Sequence, residues 1–133
     1  MVELKLTDKQ ARIAARACEL YARIVLGQFN EVILDLVDSD NVDEITSNRE
    51  EIENLLLKVR SFFYPDLHGV GHSYGIGKFE HADRAYDVYQ AIRSLFADPR
   101  IPFSYYKIPE ARRFEDTEEV EETPVETAEE TEE

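Results

Sequence analysis

A chain of 133 residues with 29 acids against 15 lysines and arginines is long enough for one domain and too acidic for nonspecific duplex binding, where repulsion from the phosphates would dominate. No stretch approaches the roughly 18 uninterrupted apolar residues of a membrane span, and the opening MVELKLTDKQ lacks the basic-then-apolar layout of a signal peptide. The single cysteine, Cys18, excludes an internal disulfide, so the expectation is a cytoplasmic protein in a reducing compartment.

The acidity is concentrated at one end. Residues 114–133 carry 11 acids and no base, which leaves an ordinary mixed surface on residues 1–113. Low hydrophobicity and like charge predict disorder for the tail. The expected organisation is a single α-rich globular domain over 1–113 and an acidic disordered tail over 114–133.

In chain order, Val2, Leu4 and Leu6 alternate with polar residues and read as a short strand. Thr7 and Gln10 then form T-x-x-Q, a capping box that satisfies the orphan amides of a helix start. The helix behind it carries apolar or small residues at Ala14, Cys18, Tyr21, Val25, Phe29, Val32 and Leu36, with Cys18 packing as a small hydrophobe. Gly27 interrupts this period, so the first helix is long, bent or broken there. Asp35 to Glu44 is an acidic connection. As a calcium loop starting at Asp38 it fails, because Val42 and Asp43 stand where a ligand and a glycine are needed. Ser47 and Glu50 read as a second capping box, opening an amphipathic helix marked by Ile52, Leu55, Leu56, Val59, Phe62 and Phe63 and stopped at Tyr64-Pro65. Ala82, Ala85, Tyr86, Tyr89, Ile92 and Phe96 mark a third helix, ended by Asp98-Pro99. Ile101 to Ile108 is aromatic and β-prone, and Pro102 confines it to an edge strand that pairs with the N-terminal one. The expected fold is thus mainly α: three helices, the first long or bent at Gly27, with a two-stranded pairing of the chain ends. Three such helices leave a modest core, which favours a homodimer or higher oligomer.

Between the second and third helices lies H-G-V-G-H-S-Y-G-I-G-K, residues 68–78, with four of the five glycines and two of the three histidines. Its tempting motifs do not survive their context. Gly71 to Gly75 fits the G-x-S-x-G nucleophile elbow, but a helix precedes it in place of a strand, and His81 is the only later histidine. Gly77-Lys78 resembles the end of a phosphate-binding loop, yet Phe79 stands where Ser or Thr is required. His68, His72 and His81, completed by Asp66, Asp83 or Glu80, would give a metal-dependent hydrolase. The glycines between His68 and His72 remove the geometric guarantee that helical spacing would supply. The reading assigns no catalytic residue, metal or cofactor.

Glycines let backbone amides approach a ligand, and a helix start beyond Lys78 presents free N–H groups. On the first helix Lys9, Arg12, Arg16 and Arg23 fall within about 60° of one another, with Glu19 among them. If that stripe faces the loop, the two form a pocket for a small anionic molecule. The expected contacts are Arg12, Arg16 and Arg23 with His68, His72, Ser73, Tyr74 and Lys78, with Tyr74, Tyr86 or Tyr89 stacking on a base. The bland alternative is a solvated basic face that pairs with the second helix or with the acidic tail.

Three segments also carry a resemblance. A-C-E-L-Y-A-R-I-V-L-G-Q-F-N-E-V (17–32), S-Y-G-I (73–76) and A-Y-D-V-Y-Q-A-I-R (85–93) resemble small uncharacterised proteins of bacteriophages and bacterial accessory regions, over roughly residues 4 to 97. L-Y-x-R-x-x-x-G-Q-F is the most recognisable part. The resemblance brings no catalytic residues; it implies a phage-like origin, a location in the host cytoplasm and a binding role in place of an enzymatic one. The expected function is therefore a non-enzymatic binding protein that sequesters a small anionic, nucleotide-like ligand. The alternatives are a protein-directed inhibitor that engages a host protein through the acidic tail, by nucleic-acid mimicry, and the metal-dependent hydrolase.

Overall fold

The computed structural model describes residues 1–96 and 109–114, and five helices occur among them. They are α1 (Asp8–Val25), α2 (Glu31–Leu36), α3 (Val42–Ser47), α4 (Arg49–Phe63) and α5 (Glu80–Ser94). The mainly α class holds. Residues 1–7 have no regular secondary structure and Val2 and Leu4 are exposed, so the strand expected there does not form among the described residues. Its expected partner, 101–108, and the acidic stretch 115–133 lie outside the described residues.

The capping box at the start of α1 is present in full. The Gln10 N–H donates to Thr7 Oγ1 at 3.2 Å, and the Thr7 N–H donates to Gln10 Oε1 at 3.0 Å. The other end of α1 is a Schellman motif. The Gln28 N–H donates to the Arg23 carbonyl at 2.8 Å and the Gly27 N–H to the Ile24 carbonyl at 2.9 Å, with Gly27 at φ +92°. This left-handed position closes the helix and is strained for any residue with a Cβ. The expected long first helix is therefore two helices, broken at Gly27.

α1 packs along α5 in antiparallel fashion: Arg12 lies over Phe96 near one end and Tyr21 beside His81 near the other. Small residues at the contact, Ala15 and Ala22 on α1 and Ala82 and Ala91 on α5, are buried and let the two backbones approach. Around Ala22, Leu26 and Ala82 pack Val25, Tyr74, Phe79, Ala85 and Tyr86. Cys18 is half-buried on α1, and burial pushes its thiol pKa up, as expected of a small packed side chain.

Two expectations for the middle of the chain are corrected. Ser47 does not cap α4. It is the last residue of α3, its hydroxyl donates to the Asp43 carbonyl at 2.8 Å, and Asn48 precedes α4 without a side-chain cap bond. The apolar face of α4 does not enter the core described here either. Leu55, Val59, Phe62 and Phe63 are exposed, and the residue of α4 that is buried is Arg60. α4 does end where proline predicts, with Tyr64 out of helical space at ψ 73°.

Candidate functional site

The C-terminal end of α1 leaves backbone carbonyls without intrahelical partners. Three successive ones are satisfied from α4 and the glycine loop. The Tyr64 hydroxyl donates to the Val25 carbonyl at 2.8 Å, the Tyr74 N–H to that of Leu26 at 2.8 Å, and the Arg60 guanidinium to that of Gly27 at 3.2 Å. Arg60 goes further. Nη1 also donates to the His72 carbonyl at 3.0 Å, and Nη2 to the Gly69 carbonyl at 2.6 Å. It is 3 % exposed and has no carboxylate partner among the described residues. One buried fork therefore ties the α1–α2 turn to the loop, a task that suits the fixed donor geometry of a guanidinium.

The far end of the loop is held by Asp83, which is also buried. Both of its oxygens accept from the Gly77 N–H at 3.1 Å. This carboxylate lies in the first turn of α5, where the helix dipole favours negative charge. It thereby occupies an amide that an incoming anion would have needed. Between these anchors the Tyr74 hydroxyl donates to Asp66 at 2.6 Å, which pushes the phenol up to about 12 and holds the Asp66 carboxyl below its usual range. Lys78 Nζ sits 5.3 Å from the centre of the Tyr74 ring. The His68 N–H donates to His72 Nδ1 at 2.9 Å, and both imidazoles are exposed. Ser73 is half-buried in an irregular segment with no strand before it, so the elbow geometry is not formed. His81 lies beside Phe79 and Tyr21, and no group of three or more His, Cys, Asp or Glu side chains that could hold a metal ion occurs among the described residues.

The basic stripe of α1 is largely engaged by acids. Arg16 grips Asp35 through both Nε, at 2.7 Å, and Nη2, reaches Glu19 at 2.7 Å and lies 3.8 Å from Glu31. The Asp35 carboxylate raises the pKa of that guanidinium. Arg23 meets Glu19 at 3.2 Å, Glu31 at 3.5 Å and the Gln28 amide oxygen at 2.9 Å. The pairing partners come from α1 itself and from the folded-back α2. Arg12 differs: its guanidinium lies 4.3 Å from the centre of the Phe96 ring, and it has no carboxylate partner among the described residues.

Arg12 and Arg16 line a groove of about 240 Å³ between α1 and α5, together with Glu19, Tyr89, Arg93 and Phe96. Arg93 lies 5.3 Å from the centre of the Tyr89 ring. Burial, and a hydrogen bond to Glu19, raise the Tyr89 phenol pKa. The groove and the loop do not coincide. The loop joins α1 at Leu26, and Arg12 lies fourteen residues earlier on α1, about 21 Å along its axis at 1.5 Å per residue. The structure thus brings Arg12 and Arg16 together with α5 and keeps His68, His72, Ser73, Tyr74 and Lys78 at the opposite end, with Arg23 between.

Arg60, Arg93 and Phe96 were not among the site residues expected from sequence; Asp83 was expected only as a metal ligand, and Tyr89 as one of three tyrosines that could stack on a base. Arg60 carried only its position on the side of α4 away from Leu55 and Phe62, a side it shares with Arg49. Arg93 and Phe96 carried no signal, because helical periodicity does not reveal which helix lies against which. No protein-family model, curated protein or solved structure matches the chain.

Proposed function

We propose that the chain is a non-enzymatic binding protein for a small anionic ligand carrying a flat ring, such as a nucleotide, and that the ligand lies in the α1–α5 groove. The observation that carries the reading is the convergence of Arg12, Arg16 and Arg93 with Tyr89 and Phe96 around one groove of about 240 Å³. Guanidinium forks match phosphate oxygens, and an aromatic or guanidinium plane accepts a stacked base. The glycine loop enters this reading as the closure of the fold's other end, with its carbonyls turned onto Arg60 and its Gly77 amide onto Asp83. The resemblance of residues 17–32, 73–76 and 85–93 to small phage and bacterial accessory proteins supports a binding role, in a host cytoplasm, over catalysis.

The test is calorimetry of the full chain with adenosine monophosphate, and with inorganic phosphate in a second arm. Arg12→Ala is expected to weaken nucleotide binding about tenfold, the loss of one charge-assisted contact and its ring. Lys78→Ala should leave binding unchanged. The opposite pattern would return the ligand to the glycine loop. No heat with either probe, and no small molecule copurifying in native mass spectrometry, would end the reading. If activity against a host protein is then lost on deleting residues 114–133, the acidic tail takes its place.

A further inference from the structure

Four cations crowd two aromatic rings at the N-terminal end of α1. The Arg12 guanidinium lies 4.3 Å, and that of Arg113 5.0 Å, from the centre of the Phe96 ring. Lys5 Nζ lies 5.4 Å, and the Arg112 guanidinium 4.9 Å, from the centre of the Phe114 ring. Arg113 also meets Asp8 in the first turn of α1, whereas Lys5, Arg12 and Arg112 stand in no ion pair among the described residues. Rings hold such cations in place but supply no counter-charge. Arg12 and Phe96 also belong to the wall of the α1–α5 groove, so this cluster forms one mouth of it.

The sequence puts a counter-charge directly downstream. Phe114 is followed by E-D-T-E-E-V-E-E (115–122), six of the eleven acids of residues 115–133, with no base among them. Glu115 follows Arg113 by two residues, a reach of at most about 7 Å between Cα atoms, and Glu119 by six, at most about 22 Å. Arg12 shares the Phe96 ring with Arg113 and falls inside that reach. We propose that the acids after Phe114 fold back onto Lys5, Arg12 and Arg112 and occupy this mouth of the groove, so that a ligand enters by displacing them. The competition rests on the groove being the ligand site; the contact itself does not. Carboxylate and phosphate oxygens seek the same guanidinium donors, so the two occupants exclude one another at Arg12. Each exposed ion pair is weak, but a segment tethered at Phe114 acts at a roughly millimolar effective concentration. Acids of another molecule lack that tether and meet the repulsion of a chain with net charge −14.

The test uses the full chain in two arms. The first, without ligand, measures the heteronuclear NOE along residues 115–133. At low salt the values over 115–122 should exceed those over 129–133. That excess should fall away at about 0.5 M salt and in the Lys5→Ala, Arg12→Ala double variant. Equal values along both stretches at low salt would overturn the proposal, and so would an excess that neither salt nor the double variant moves. The second arm is calorimetry with adenosine monophosphate on two variants of equal charge. One carries Glu115→Gln, Asp116→Asn, Glu118→Gln and Glu119→Gln; the other carries Glu129→Gln, Glu130→Gln, Glu132→Gln and Glu133→Gln. The first should bind about fivefold tighter than the parent, because a competing state is removed, and the second within about twofold of it. Equal gains would show that net charge alone acts, and an unchanged affinity in the first variant would show that nothing is displaced; either overturns the competition. Adenosine monophosphate that binds none of the three chains ends the groove reading, and the first arm alone then decides the contact.

Discussion

Replacing Arg60 by methionine removes a buried fork while keeping most of its volume, and the structure gives opposing terms. Three backbone carbonyls, those of Gly27, Gly69 and His72, lose a charged donor. Bonds to charged groups contribute roughly 1.5–3 kcal/mol each, but Gly69 and His72 are exposed and their carbonyls can turn to water. Gly27 is buried, so its carbonyl keeps most of an unsatisfied-group penalty of about 1–3 kcal/mol. Against this, methionine removes the desolvation cost of a cation that has no carboxylate partner among the described residues, and that term offsets part of the loss. The loss still wins, because the same side chain orders two separate loops. The expected cost is about 2–3 kcal/mol. With an m-value of about 1.2 kcal/mol/M in urea, that moves the midpoint down by about 2 M, read by circular dichroism at one fixed protein concentration. Arg60→Lys should cost nearly as much, since a single ammonium cannot reproduce the fork. A midpoint shift below about 0.4 M for Arg60→Met would refute the reasoning. Wild-type stability in Arg60→Lys would show that charge alone is needed.

Gly27 and Gly69 make a paired comparison by the same denaturation. Both have positive φ, +92° and +79°, but a Cβ at Gly27 would sit 2.4 Å from Leu67 Cδ1, whereas one at Gly69 meets nothing within 4 Å. Gly69→Ala is expected to cost about 1 kcal/mol for its backbone, and Gly27→Ala about 3 kcal/mol, the excess coming from displacement of buried Leu67. Equal losses would show that Leu67 yields freely. The Tyr74–Asp66 bond should be visible in the pH dependence of the loop. The Tyr74 phenol is pushed up to about 12, so its bond stabilises the fold fully below the ordinary tyrosine value and loses that contribution as the pH rises through the folded value. The Asp66 carboxyl is held low, so its contribution is present above the ordinary aspartate value and is lost as the pH falls through the folded one. The Tyr74 ring shifts should therefore show no deprotonation of the phenol below roughly pH 10. Asp66→Asn should return the Tyr74 titration towards about 10; an unmoved titration would break the pairing.

What could be read from the sequence was local, and what could not was relational. The Thr7–Gln10 box lies within four residues and is legible because both halves of its hydrogen-bond exchange are in that window. Gly27 is legible as an interruption. That it closes a Schellman motif follows only once Arg23, Ile24 and Gln28 are seen to supply the bonds. Ser47-x-x-Glu50 has the same pattern as the first box and fails, because α3 ends at Ser47 and its hydroxyl is spent on Asp43. α4 shows the deeper reason. Its amphipathic period fixes which residues share a face but not what covers that face, and the fold instead buries the side that holds Arg60. The site divides in the same way. The stripe of Arg12, Arg16 and Arg23 is a property of one helix and could be read. Its neighbours Tyr89, Arg93 and Phe96 come from the antiparallel seating of α5, which depends on alanines on two helices meeting.

The arginines of that stripe are not equivalent, and the difference constrains the ligand. Arg16 and Arg23 together face Glu19, Glu31 and Asp35, so the clamp formed with α2 carries one negative charge more than positive. A bare anion approaching Arg16 must displace Asp35 from a two-pronged contact or tolerate three carboxylates. Arg12 has a ring beneath it and no carboxylate partner among the described residues, so it is the better electrostatic anchor. One exposed ion pair contributes only about 0–1 kcal/mol, too little to hold inorganic phosphate at millimolar concentration. Stacking of a base contributes about 1–3 kcal/mol, and the groove places Tyr89 and Phe96 within reach of it. The arrangement therefore favours an anion with an attached ring over the anion alone, and the contrast between adenosine monophosphate and phosphate measures that preference directly.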